Sequence, residues 1–74
     1  MENVYVLIDG EAYEGYSIVG VYGSLLRATE VAEGLMTARR ATFNYRPEEP
    51  TRTNAVMRWA DRADYIEIQQ RPVE

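Results

Sequence analysis

The chain contains no cysteine, no histidine and no lysine, and each absence removes a class of chemistry. Without Cys there is no disulfide, no thiolate nucleophile and no thiol redox couple. Without His there is no Ser-His-Asp triad and no imidazole acid–base catalyst, and the residue types that build structural zinc sites are missing together. Without Lys there is no Schiff base and no Walker-type phosphate lysine. All eight basic residues are therefore Arg, a usage that reads as coding bias in a GC-rich genome. Long apolar runs are absent too. The longest, Val4 to Ile8, falls far short of the ~20 residues that span a bilayer. Glu2 and the lack of a basic n-region give no signal-peptide pattern. The expectation is a cytoplasmic protein with no membrane contact, no cofactor and no metal.

What is present fits a single domain over residues 1–74, with 46% apolar and 27% charged residues. A chain this short buries only about 60% of its unfolded surface, and the usual staples are missing, so association with another chain is an expected source of stability. The net charge of -4 is uneven: residues 1–38 hold six acids and Arg27 alone, whereas residues 39–74 hold seven Arg and six acids. Direct nucleic-acid binding is not expected from an acidic chain whose one basic cluster is Arg39-Arg40. That pair reads as the cationic end of a helix.

Val4-Tyr5-Val6-Leu7-Ile8, bounded by Asp9-Gly10, predicts a strand with Val4, Val6 and Ile8 on one face and Tyr5 and Leu7 on the other. Tyr16 to Tyr22 predicts a second strand, joined to the first as an antiparallel hairpin by a connector of about seven residues from Asp9 to Gly15. Regular alternation puts Val19 and Val21 on one face and Tyr16, Ile18 and Tyr22 on the other. Gly20 marks either a bulge or a close approach. Gly23-Ser24 opens a helix with Ser24 as N-cap. On a helical wheel over Leu25 to Phe43, residues Leu25, Ala28, Val31, Ala32, Leu35, Met36 and Phe43 share one arc, opposite Arg27, Glu30, Glu33, Gly34, Thr37 and Arg40.

Asn44 to Asn54 is polar and carries Pro47 and Pro50, which predicts an exposed connector. Residues 55–60 are ambiguous between helix and strand: their Ala, Met and Arg content after Asn54 favours a helix, their alternation a strand. We favour the strand, forming a hairpin around Asp61 to Asp64 with the closing strand Tyr65 to Gln70. The expected fold is α+β: a small antiparallel sheet of three to four strands with one long amphipathic helix packed on one face.

Three features bear on function. Gly15 to Ser24 leads from a strand into a helix as phosphate-cradling loops do, but it has neither the P-loop lysine nor the G-x-G-x-x-G spacing. Asp9, Glu11 and Glu14 cluster in the first loop, where a solvated acidic loop fits better than a Ca²⁺ site or a glycosidase pair. Six Tyr, one Trp and one Phe are more aromatic surface than so small a domain can bury, and Tyr and Trp are enriched at protein interfaces; tyrosines at strand ends with exposed hydroxyls are equally ordinary sheet formers.

The run from Val4 to Ser24 resembles the opening of small bacterial and phage proteins in which a Y-E-G-x-x-I-x-G-V-Y strand leads into a helix. Tyr65-Ile66-Glu67-Ile68 resembles their short closing strand. The likeness covers roughly the first 40 residues and the last ten, and no alignment holds between Asn44 and Ala63. It implies a small α+β accessory protein, of a bacterium or of a phage in a GC-rich host, and it carries over no site residues. The leading functional expectation is a non-enzymatic interaction protein that binds itself as a homodimer or binds a host or phage protein. Tyr13 and Tyr16 are its expected anchors, with Glu11 and Glu14 on the rim. The alternative is a small-ligand or anion sensor using the helix start at Gly23-Ser24.

Overall fold

A computed structural model describes residues 2–73 of the chain. Its elements run β1 (Asn3–Glu11), β2 (Gly15–Tyr22), α1 (Leu25–Ala38), β3 (Arg46–Pro47), β4 (Ala55–Asp61) and β5 (Asp64–Pro72). The strands form one antiparallel sheet in the order β2-β1-β5-β4-β3, with α1 packed on one face. The α+β class holds, but the sheet has five strands rather than three or four. The additional strand is the two-residue β3, where Arg46 and Pro47 pair with Ala60 and Trp59. Proline has no N–H to donate, so a strand containing Pro47 stays a short stub at the sheet edge.

The ambiguous segment is a strand. β4 and β5 make the hairpin expected around Asp61 to Asp64, and Arg62 takes a φ of 58° in a turn without Gly or Asn. The first hairpin is tighter than the sequence predicts. β1 continues through Asp9, Gly10 and Glu11 because it has partners on both sides: Gly10 pairs with Tyr16 of β2 and with Tyr65 of β5. The connector shrinks to Ala12-Tyr13-Glu14.

α1 also differs from expectation, ending at Ala38 rather than Phe43. Arg39 is its C-cap, held by a 2.8 Å ion pair to Asp9 on β1. The Thr42 and Phe43 amides donate to the Arg39 carbonyl at 2.9 and 2.8 Å, turning the chain back toward the sheet. The turn brings the Phe43 ring 5.3 Å from Tyr45.

The helix face of the sheet presents Leu7, Ile66, Ile68 and Trp59 to Ala28 and Ala32, all buried, with Leu25, Val31, Leu35 and Met36 packed around them. Two alanines at the contact let the helix backbone come close to the sheet. Along β2, Leu7 pairs with Gly20 and Ile8 with Ile18, which leaves Val19 as a bulged extra residue. That residue changes the facing. Val21 pairs with Val6 and joins Ile18 and Tyr16 on the open face of the sheet, whereas Tyr22 pairs with Tyr5 and packs into the core beneath the helix. The expectation that Tyr22 shares a face with Tyr16 and Ile18 is thereby overturned. Gly20 is explained by close approach, since the Tyr22 ring occupies the space a Cβ would need. Among the described residues no helix is long and apolar enough to cross a membrane.

Candidate interaction surface

The open face, opposite α1, divides into two halves of different chemistry. On β5, Glu67 is fully buried and charged. Its carboxylate accepts hydrogen bonds from Arg58 on β4 at 3.0 Å and from Gln69 at 3.0 Å, and Arg52 stands 3.9 Å away. The Arg58 guanidinium also donates to Glu48 at 2.8 Å and lies 4.2 Å above the Tyr65 ring. Burial works against the charge of Arg58, but the hydrogen bonds and negative charges of Glu48 and Glu67 outweigh it and raise its pKa above the ordinary arginine value. Arg71 donates to Gln69 at 2.7 Å. The β4–β5 half is thus closed by its own polar network, and no buried side-chain N or O among the described residues lacks a partner.

The β1–β2 half has no such cover. Val6 and Ile8 form the floor of a hollow of about 360 Å³ walled by Tyr16, Ile18 and Val21, with Gln69 and Arg71 at its polar end. Tyr16, Ile18 and Val21 are 56%, 62% and 57% exposed. Of the seven large exposed apolar side chains among the described residues, five (Tyr13, Tyr16, Ile18, Val19 and Val21) belong to this one hairpin. Single exposed apolar residues are ordinary, whereas Tyr16, Ile18 and Val21 line one hollow together.

At the tip, the Glu14 amide donates to the Glu11 carbonyl at 3.0 Å and closes the turn. The Ala12 amide donates to the Ala63 carbonyl at 2.7 Å, tying this turn to that of the second hairpin. Tyr13 stands wholly in solvent with φ at 75°, in the left-handed region that disfavours a bulky side chain. Gly15, at φ 95°, suits its place.

Glu11, Glu14 and Tyr16 come together on an open cleft of about 500 Å³ that also reaches Asp9, Arg39 and Asp64; Tyr13 lies outside it. Asp9 is engaged by Arg39, whose pKa is raised first by that hydrogen bond and then by one to Tyr45. No group of three or more acidic side chains among the described residues is placed to hold a metal ion. At the other end of β2, the Ser24 hydroxyl accepts from the Arg27 amide at 3.1 Å, so it serves as the helix cap.

Regular alternation in the sequence misplaced Val21, because Gly20 marks a possible bulge without saying which residue is extra, and only the pairing of β1 with β2 places it at Val19. The polar network did leave a trace. Arg58, Glu67 and Gln69 are polar residues alternating with apolar ones, and they share one face once β4 and β5 are in register. Comparison of the chain with protein-family models, with curated proteins and with solved structures finds no match.

Proposed function

We propose that this chain is a small non-enzymatic interaction protein that acts by binding a second protein chain through its first hairpin. The observation that carries the reading is Tyr13. Backbone preference at φ 75° calls for Gly or Asn, and solvation calls for a polar residue, yet the position holds a fully exposed aromatic ring. Where side chain and fold disagree in this way, the residue serves something other than the fold. Tyr13 and Tyr16 act as aromatic anchors, and Glu11 and Glu14 on the rim steer approach. The lack of His, Cys and Lys supports a non-enzymatic role. The resemblance of the first 24 residues to small bacterial and phage proteins supports an accessory function in the cytoplasm, of the host if the chain is phage-encoded.

The test uses a partner isolated by affinity capture and two variants. Tyr13→Gly relieves the turn, so it melts higher than the parent while binding at least about tenfold more weakly, chiefly through faster dissociation. Glu11→Gln combined with Glu14→Gln lowers the association rate and flattens its salt dependence. Unchanged affinity in both variants places the interface elsewhere and overturns the reading.

A further inference from the structure

We infer that the partner is a second copy of this chain, whose β2 pairs antiparallel with β2 here so that the two sheets join into one of ten strands. The inference rests on the first hairpin being the binding surface and adds what occupies it.

The two edges of the sheet are treated differently. β3 is two residues long and carries Pro47, so it offers almost nothing to pair with. β2 is eight residues long and lies at the opposite edge with its outer side unpaired. Its sequence, GYSIVGVY, contains no charge and no proline, whereas β1, β3, β4 and β5 each carry at least one charged residue. Charges and prolines are the usual means of keeping an edge from pairing with another chain. Here the one strand without them is an exposed edge.

Charge selects both the copy and the direction. The chain as a whole repels itself at -4, but a strand without charge can meet its own copy with no like charges in register. At its Gly15 end β2 adjoins Glu11 and Glu14. At its Tyr22 end it leads into the positive N-terminus of α1, whose first turn holds no acid, while Arg27 stands 3.8 Å from Glu30. Antiparallel pairing sets the acidic end of each copy beside the positive end of the other. Parallel pairing would set Glu14 beside Glu14.

The bulge makes the strand match itself. Tyr16, Ile18 and Val21 pair with the open-face residues Gly10, Ile8 and Val6, whereas Ser17, Gly20 and Tyr22 pair with Asp9, Leu7 and Tyr5 on the helix side. Full antiparallel overlap of Gly15–Tyr22 with its copy sets Tyr16 opposite Val21 and Ser17 opposite Gly20. Each pair then falls on a common face. In a regular strand, positions five apart face opposite ways and the same overlap would mismatch. The extra residue at Val19 removes that mismatch, so the exposed apolar side chains of both copies merge into one strip across a two-fold axis.

Sedimentation of the intact chain between about 10 and about 500 μM tests this. The expected result is a mass rising from 8.5 kDa toward twice that value, and a dimer lost in the double variant Ile18→Lys, Val21→Lys. Both side chains are largely exposed, so the variant keeps the parent's circular dichroism and, at the dilute end of the range where both are monomers, its melting temperature; if it unfolds, Val21→Lys alone is read in the same way. A monomer throughout the range overturns self-pairing, and so does a dimer that survives the folded variant. The wider reading fails separately, when neither Tyr13→Gly nor Glu11→Gln with Glu14→Gln changes binding to a captured heterologous partner.

Discussion

Glu67 is charged and fully buried, so the side chains around it decide what the β4–β5 half of the open face can do. Arg58 is the one cation within hydrogen-bond distance of that carboxylate among the described residues, and it joins Glu67 to the more exposed Glu48. The two carboxylates therefore differ in what they contribute. Arg58→Ala leaves a buried charge with only Gln69 and a distant Arg52, and should cost about 3 kcal/mol. Glu48→Ala removes a half-exposed partner and should cost less than about 1 kcal/mol. Thermal or urea unfolding of the two variants checks the ranking, and equal midpoints would mean that Glu67 is not held by Arg58. The contrast with β2 also sets the limit of what single residues reveal. The excess of aromatics was legible in the composition, and Tyr13 and Tyr16 are the two tyrosines left exposed. Tyr65 is buried because its ring covers Gly10 where a Cβ would collide with it. That pairing depends on the β1–β5 register and has no local signature.

Elements were legible where their periodicity was strong and their ends were local. The apolar arc of α1 matches its buried side at Ala28 and Ala32, and Ser24 caps it as the sequence predicts. The helix end was not legible, since Phe43 continues the arc while the Arg39–Asp9 contact that halts it is made 30 residues away along the chain. Gly34 lies on the exposed side, and a Cβ there meets nothing within 4 Å. Gly34→Ala should stabilise the protein by up to about 1 kcal/mol, and a melt that does not rise would show that this stretch gains nothing from helix propensity. Leu35→Ala, on the packed side of the same turn, should instead destabilise by roughly 2 kcal/mol, near the low end for a core leucine because the side chain is only half-buried.

At the scale of the molecule, the sheet order places the first and last long strands side by side, β1 against β5 from Asn3↔Pro72 to Glu11↔Asp64. This central pair is buried from both neighbours, with β4 and the β3 stub protecting one flank and β2 left to form the other. A chain this short with no cysteine lacks the disulfides that staple many small domains, and its one uncharged strand is the one it leaves open. The central claim is that β2 and the apolar half of the open face form a binding surface. The most direct measurement is residue-resolved amide hydrogen exchange at about 10 and about 500 μM. The account predicts protection that rises with concentration across Gly15–Tyr22 while β3 and the Glu48–Asn54 segment exchange unchanged. Protection in β2 that does not respond to concentration, or that rises only elsewhere in the chain, would contradict it.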